Sequence, residues 1–182
     1  MIKFFLKQTT TFTHLMENKT LLLDQKQIEK RINRIAYQVY EDNFEEKEIV
    51  IAGIVKSGYL VAQKIEKAMN KICDLKTMLV EVRMDKHNQL KRDIELSEPD
   101  EKMKGKVIIL VDDVLNSGKT LVYALRPFLK IDTKKIRTVV LVDRNHKRYP
   151  IAADFVGISL ATTMHEHVSV ELEGEKEVAY LS

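Results

Sequence analysis

The stretch Val107-Ile108-Ile109-Leu110-Val111-Asp112-Asp113-Val114-Leu115-Asn116-Ser117-Gly118-Lys119-Thr120-Leu121 decides how this chain folds. Its opening residues are apolar and mostly β-branched, the pattern of a strand buried on both faces of a parallel sheet. Two carboxylates, Asp112 and Asp113, stand at the strand's carboxyl end, and a short loop of small residues then leads into a helix. In open parallel sheets ligands collect at the carboxyl ends of strands, and the unpaired N–H groups of a helix start receive phosphate. Paired carboxylates would repel phosphate, so they point to sugar hydroxyls or to a divalent cation between the two. A phosphorylated sugar with Mg2+ meets both requirements. The competing reading is a buried strand whose aspartates only cap the next helix. A nucleoside triphosphatase is disfavoured, because the loop lacks the leading Gly of the G-x-x-x-x-G-K-[ST] pattern.

Length and composition set bounds around this stretch. A chain of 182 residues suits one domain with a substantial core. Its 30 Lys and Arg against 27 Asp and Glu give a net charge of +3, a mixed surface that permits nucleic acid without demanding it. The single cysteine, Cys73, excludes an internal disulfide and suits a reducing compartment. No apolar run approaches the roughly 20 residues of a membrane span. A soluble cytoplasmic protein is expected. The apolar run at the start stops at Leu6, short of a signal-peptide core, and Met16 is a second candidate start. Residues 1–17 are therefore read as an N-terminal extension outside the core, and 18–182 as the domain.

Upstream, Asp24 with Gln27 three positions on forms a capping box, and Ile28, Ile32, Ile35, Ala36 and Val39 make one apolar helix face. Lys30, Arg31 and Arg34 on the other side read as a solvated face. Ile49 to Val55 is a second buried strand, ended by Lys56-Ser57-Gly58 and followed by Leu60, Val61, Ile65, Ala68 and Met69 at helical spacing. Gly58 offers the backbone freedom and exposed N–H groups that close approach to an anion requires, and Lys56 adds a charge; an ordinary strand-to-helix turn explains the same residues. Thr77 to Arg83 reads as a third strand. The polar segment from Met84 to Lys102 is too long for a routine connection and reads as a lid. Downstream, a helix is expected to about Lys130, then a strand over Ile136 to Val142. Short strands at the sheet edge are expected near Ala153–Gly157 and Val168–Leu172. Repeated strand–helix units give an α/β fold with right-handed crossovers.

With these elements in place, Val111 to Thr120 resembles the phosphoribosyl-pyrophosphate signature of the type I phosphoribosyltransferases. Asp24 to Ala36, Val50 to Gly58, and Leu141 to His146 through Pro150 to Gly157 are similar to the pyrimidine-operon regulator/uracil phosphoribosyltransferase family. Together they cover most of residues 21–172. The resemblance implies a central, mainly parallel sheet flanked by helices with a small hood, and a pentosyltransferase that uses phosphoribosyl pyrophosphate, a nucleobase and Mg2+. It implies that Asp112 and Asp113 hold the ribose hydroxyls directly or through Mg2+. Asn116, Ser117, Gly118, Lys119 and Thr120 would wrap the 5′-phosphate. Lys56, Ser57 and Gly58 would form the pyrophosphate loop, and the lid from Arg83 to Lys91 would bring Arg83 and Lys86 over the leaving group. Relatives are dimers or tetramers, so a homodimer or homotetramer is expected.

Departures from the family bear on the acceptor. Purine-salvage relatives carry an Asp at the position of Asn116, where it serves as a base toward the purine ring; an amide takes no proton. Uracil is accordingly the expected acceptor, and Asn116→Asp is expected to raise purine turnover if purines enter the pocket. The loop reads Lys-Ser-Gly where the pyrimidine family usually has Thr-Arg-Gly, and Ile158 to Met164 lacks the Pro and Lys that relatives place beside the base. An RNA- or nucleotide-sensing regulator on the same fold is the second function class, as is a purine phosphoribosyltransferase. RNA binding is not favoured, because Tyr37, Ala152 and Ile158 are uncharged where a basic or polar face is expected. His146 reads as a loop histidine, and His165 and His167 as two exposed residues on one face of a strand rather than a metal pair.

Overall fold

A computed structural model describes residues 19–85, 93–161, 166–174 and 176–182. The N-terminal extension with Met16, the lid residues Lys86 and Lys91, the segment 162–164 and His165 lie outside the described residues. In chain order the strands and helices are β1 (Thr20–Leu23), α1 (Gln25–Glu41), β2 (Glu48–Ile54), α2 (Ser57–Ile72), β3 (Lys76–Arg83), β4 (Glu95–Leu96), β5 (Val107–Leu115), α3 (Lys119–Ala124), β6 (Lys135–Asp143), β7 (Phe155–Ser159), β8 (Val168–Glu171) and β9 (Val178–Leu181).

Six strands form the main sheet in the order β4-β3-β2-β5-β6-β7, all parallel except β4, which turns back antiparallel on the end of β3. The strand period of two divides the apolar residues of β2 and β5 between two cores. Ile49, Ile51, Val107, Ile109 and Val111 pack with the apolar faces of α1 and α2. Val50, Ala52, Ile54, Ile108 and Leu110 pack with Leu121, Ala124 and Phe128 on the opposite side. Every one of these strand residues is fully buried, which is why both strands read as continuous apolar runs.

Helix α1 begins as its sequence dictates. The Asp24 carboxylate accepts the Gln27 backbone N–H at 2.8 Å, the Gln27 side chain accepts the Asp24 N–H at 2.9 Å, and all five apolar-face residues are buried. Its far end is tied to β6 by Asp42, which accepts from Lys135 at 2.8 Å and Arg137 at 3.0 Å. The Arg137 guanidinium, with Lys135, holds the Asp42 carboxyl below its usual range. Arg34 is not merely solvated: its guanidinium donates to the backbone carbonyls of Val156 at 2.9 Å and Gly157 at 2.6 Å, fastening α1 to the edge strand β7.

Four expectations are corrected. Val168–Leu172 is not in the main sheet, whose edges are β4 and β7; β8 joins β1 and β9 in a separate antiparallel sheet, the hood, in the order β1-β9-β8. Its alternating Val168, Val170 and Leu172 turn inward onto the α1–α2 core. His167 precedes β8 rather than lying on it. The helix after the central loop stops at Ala124, with only a 3-10 turn over Phe128–Lys130, because Pro127 supplies no N–H and disfavours helix in the residue before it. The segment 84–102 is not wholly loop either, since Glu95 and Leu96 pair with Arg83 and Val82.

Gly53 sets the distance between β2 and α2. A Cβ there would lie 2.6 Å from the Tyr59 Cα and 2.8 Å from the Ala62 Cβ, neither of which moves without the helix. Gly53→Ala should therefore lower stability by about 1–3 kcal/mol through overpacking, read as a shift in a urea unfolding midpoint, and should displace the turn that follows β2.

Candidate active site

The site is built at the carboxyl ends of β2 and β5. Strand β5 continues past the two aspartates to Leu115, pairing Val114 and Leu115 with Val142 and Asp143, so Asp112 and Asp113 lie within the strand and not beyond it. Asp112 is only 2% exposed, while Asp113 is half-buried. The Asp113 N–H donates to Asp112 Oδ1 at 3.0 Å. A carboxylate so deep is tolerable only with such partners, because burying an unpaired charge costs far more than burying a polar group.

The turn from β2 into α2 faces this carboxylate. Its strained residue is Lys56, at φ 70°, a left-handed conformation unusual for a residue with a side chain. Gly58 sits in the first turn of α2 and does not supply the unusual backbone expected of it. It is needed for room instead: a Cβ would stand 2.9 Å from Asp112 Oδ1 and 3.1 Å from the Asp112 Cα. The pyrophosphate-loop candidate and the aspartate pair are thus in direct contact. Lys56 is exposed, and Ser57 Oγ donates to the Val170 carbonyl at 3.4 Å, linking the turn to the hood.

After β5, Asn116 is exposed and Ser117 half-buried, and Gly118 takes φ 84° as the residue before α3. Gly118 also has no room for a side chain, since a Cβ would meet Ile151 Cγ2 at 2.6 Å. The Ser117 carbonyl accepts from the N–H groups of Arg148 at 2.9 Å and Tyr149 at 3.1 Å, so the segment after β6 braces the loop from behind. Ser117 Oγ accepts the Lys119 N–H at 3.3 Å, and the Lys119 ammonium lies 5.8 Å from the Tyr123 ring centroid. Thr120 is half-buried at the start of α3. Arg83 ends β3, separated from β5 by β2 in the sheet, and its guanidinium donates to Glu81 at 2.7 Å on its own strand. That bond raises the Arg83 pKa further. Burial pushes the nearby Tyr59 hydroxyl up, with Glu81 and Glu66 adding to the effect, so the phenol stays protonated at neutral pH.

Sequence reasoning gave no role to Arg144. It directly follows β6, is 4% exposed, and donates from Nη1 to Asn116 Oδ1 at 3.1 Å and from Nη2 to the Glu166 carbonyl. The available signal was its place, at the carboxyl end of the buried strand beside β5. Among the described residues no three His, Cys, Asp or Glu side chains cluster as a metal site, and no helix is long and apolar enough to cross a membrane.

An acidic pair and two glycine-tight turns thus stand together at the carboxyl edge of a parallel sheet. The chain belongs to the phosphoribosyl transferase domain family, whose model matches residues 19–174, and it is a phosphoribosyltransferase of the type I fold. Within that family it is similar to the bifunctional protein PyrR of Fusobacterium nucleatum, 33% identical over 171 residues that cover 88% of this chain and 97% of the relative. It is also similar to the bifunctional protein PyrR of Clostridium novyi, 36% identical with 90% and 97% covered. Two solved structures share the fold. The hypoxanthine-guanine phosphoribosyltransferase of Bacillus anthracis has a TM-score of 0.65 at 22% identity, covering 80% of this chain and 84% of that one. The hypoxanthine phosphoribosyltransferase of Trypanosoma cruzi has a TM-score of 0.66 at 17% identity, covering 78% and 81%.

Gly58→Ala tests the packing of the site. The added methyl pushes either the Asp112 carboxylate or α2 out of place, and turnover should fall by about 100-fold, the effect of an ångström-scale displacement. Thermal melting run alongside should show a much smaller loss; a full-activity Gly58→Ala enzyme would refute the contact.

Proposed function

We propose that this enzyme transfers the 5-phosphoribosyl group of phosphoribosyl pyrophosphate to a nucleobase, releasing pyrophosphate, with uracil the preferred acceptor. The observation that carries the reading is the Asp112 carboxylate pressed on Gly58, which sets an acidic sugar-binding pair against an anion-binding turn. In this reading Asp112 and Asp113 take the ribose hydroxyls. Asn116, Ser117, Gly118, Lys119 and Thr120 surround the 5′-phosphate with backbone N–H and hydroxyl donors, while the Asn116 side chain is left to the base. Lys56, Ser57 and Gly58 receive the pyrophosphate, and Arg83 leaves Glu81 to cover it. Displacement at the anomeric carbon passes through an oxocarbenium-like state. The chain's own contribution is positioning, charge neutralisation at the leaving group and exclusion of water.

Two adjacent carboxylates with no third protein ligand clustered among the described residues suit Mg2+, which keeps several waters and binds through one or two carboxylates plus substrate phosphates. Asp112 and Asp113 would hold the ion, which when bound neutralises charge on the pyrophosphate. Uracil is supported by Asn116, which cannot act as the base a purine ring needs. The likeness to bifunctional PyrR proteins, 33–36% identical over 97% of their length, supports placing the chain with the pyrimidine branch that its sequence resembles. Assembly as a homodimer or homotetramer and a cytoplasmic setting belong to the same proposal. RNA binding is the weaker reading, given the balanced charge and an exposed, uncharged Tyr37 on α1.

Replacing both Asp112 and Asp113 with Asn should weaken phosphoribosyl pyrophosphate binding in the presence of Mg2+ by at least about 100-fold, since two charge-assisted contacts are lost. Calorimetry beside a melting curve checks this, and native-like affinity in a folded double mutant would remove the site assignment. In steady-state assays at saturating phosphoribosyl pyrophosphate, uracil should be converted faster than guanine or hypoxanthine; the reverse order would move the enzyme to the purine branch.

A further inference from the structure

We infer that Arg144 is a positioning residue that fixes the Asn116 amide as a hydrogen-bond donor toward the acceptor base, so that the site favours a nucleobase presenting a carbonyl oxygen there. The inference rests on the phosphoribosyl-transfer reading above. The Arg144 N–H donates to the Leu115 carbonyl at 2.9 Å, continuing the β5–β6 ladder, so its backbone is placed by the strand that carries Asp112. Its side chain is nearly fully buried and spans from Asn116 Oδ1 to the Glu166 carbonyl. A guanidinium has donors and no acceptor. Asn116 must therefore turn its oxygen to Arg144, which leaves Nδ2 with two donors and no partner among the described residues. Asn116 is exposed, so those donors are open to a ligand. An amide free to flip would offer either its donors or its oxygen to a ligand; a pinned one turns its oxygen to Arg144 and its donors outward.

The planar fork of Arg144 reaches two acceptors at once, which a lysine ammonium does less well. Through it the phosphate-binding loop is joined to the segment that leads into β8 of the hood. The same contact alters the expectation for Asn116→Asp. A carboxylate at this position would lie against the guanidinium, be held in its ionised form and be a weaker base for it. Purine turnover then stays low in Asn116→Asp while Arg144 is present.

A double-substitution cycle tests this, with uridine monophosphate binding by calorimetry and uracil turnover with phosphoribosyl pyrophosphate and Mg2+ as parallel readouts. Asn116→Ala and Arg144→Gln should each raise the KM for uracil about tenfold, the effect of one hydrogen bond, with the KM for phosphoribosyl pyrophosphate changing less. The double variant should be no worse than the more impaired single one. Losses that multiply in the double variant, in binding or in KM, would show that Arg144 acts only through the hood and overturn the inference. If Arg144→Gln does not fold, Asn116→Asp decides with Arg144 in place: purine turnover at the wild-type level supports the coupling, and a gain of about 10²–10⁴-fold, the range of a working general base, overturns it. Absence of turnover with every nucleobase, together with non-multiplying losses in uridine monophosphate binding, would defeat the transfer reaction and leave the coupling supported.

Discussion

Burial of β5 on both faces is the constraint from which the rest of the molecule follows. A strand covered on two sides has no solvent-facing positions for polar residues, so Val107 to Val111 are all apolar and fully buried. Polar chemistry is confined to where the covering layers end, and there the first side chain is the carboxylate of Asp112. Because β2 lies beside β5 and runs parallel to it, the turn leaving β2 arrives at the same edge. Two glycines then bring it close, Gly53 by admitting the first turns of α2 onto the sheet and Gly58 by admitting them onto Asp112. The acidic pair and the neighbouring turn are thus consequences of packing, and their mutual distance is set by backbone rather than by flexible side chains.

Among the described residues, two hydrogen bonds join the hood to this edge. Ser57 reaches the Val170 carbonyl from the turn after β2, and Arg144 reaches the Glu166 carbonyl from the end of β6. Both contacts use backbone acceptors of the hood, so they hold its chain path regardless of the side chains it carries. The hood's side chains can then vary without loosening the turns at residues 56–58 and 116–118.

Much of the fold was legible because its signals are local. The capping box of Asp24 and Gln27, the five apolar positions of α1 and the unbroken apolar runs of β2 and β5 each follow from a few neighbouring residues. Asp112, Asp113 and Gly118 stood out in the 107–121 stretch for the same reason, and Gly58 in the separate run that follows β2. What escaped was non-local. Pairing of β1 with β9 joins segments some 160 residues apart in the register Thr20 with Leu181, and nothing in either short strand names its partner. Likewise the role of Gly58 depends on what stands opposite it, and the strain it was expected to carry falls on Lys56. Arg144 has an unremarkable sequence context, and its contacts with Asn116 and the Glu166 carbonyl appear only once β6 is seen beside β5.

The arrangement of the hood has a consequence for how the protein is made. All strands of the main sheet lie between residues 48 and 159, whereas the hood takes its strands from residues 20–23, 168–171 and 178–181, with β9 in the middle. During synthesis the sheet has every strand it needs while β1 still waits for the neighbour that will pair with it. Closing so distant a contact comes after the local ones, since its loop entropy is the largest to overcome. The nascent chain therefore passes through a stage in which the edge carrying Asp112 is assembled and uncovered, and the cover closes only once β9 has been made.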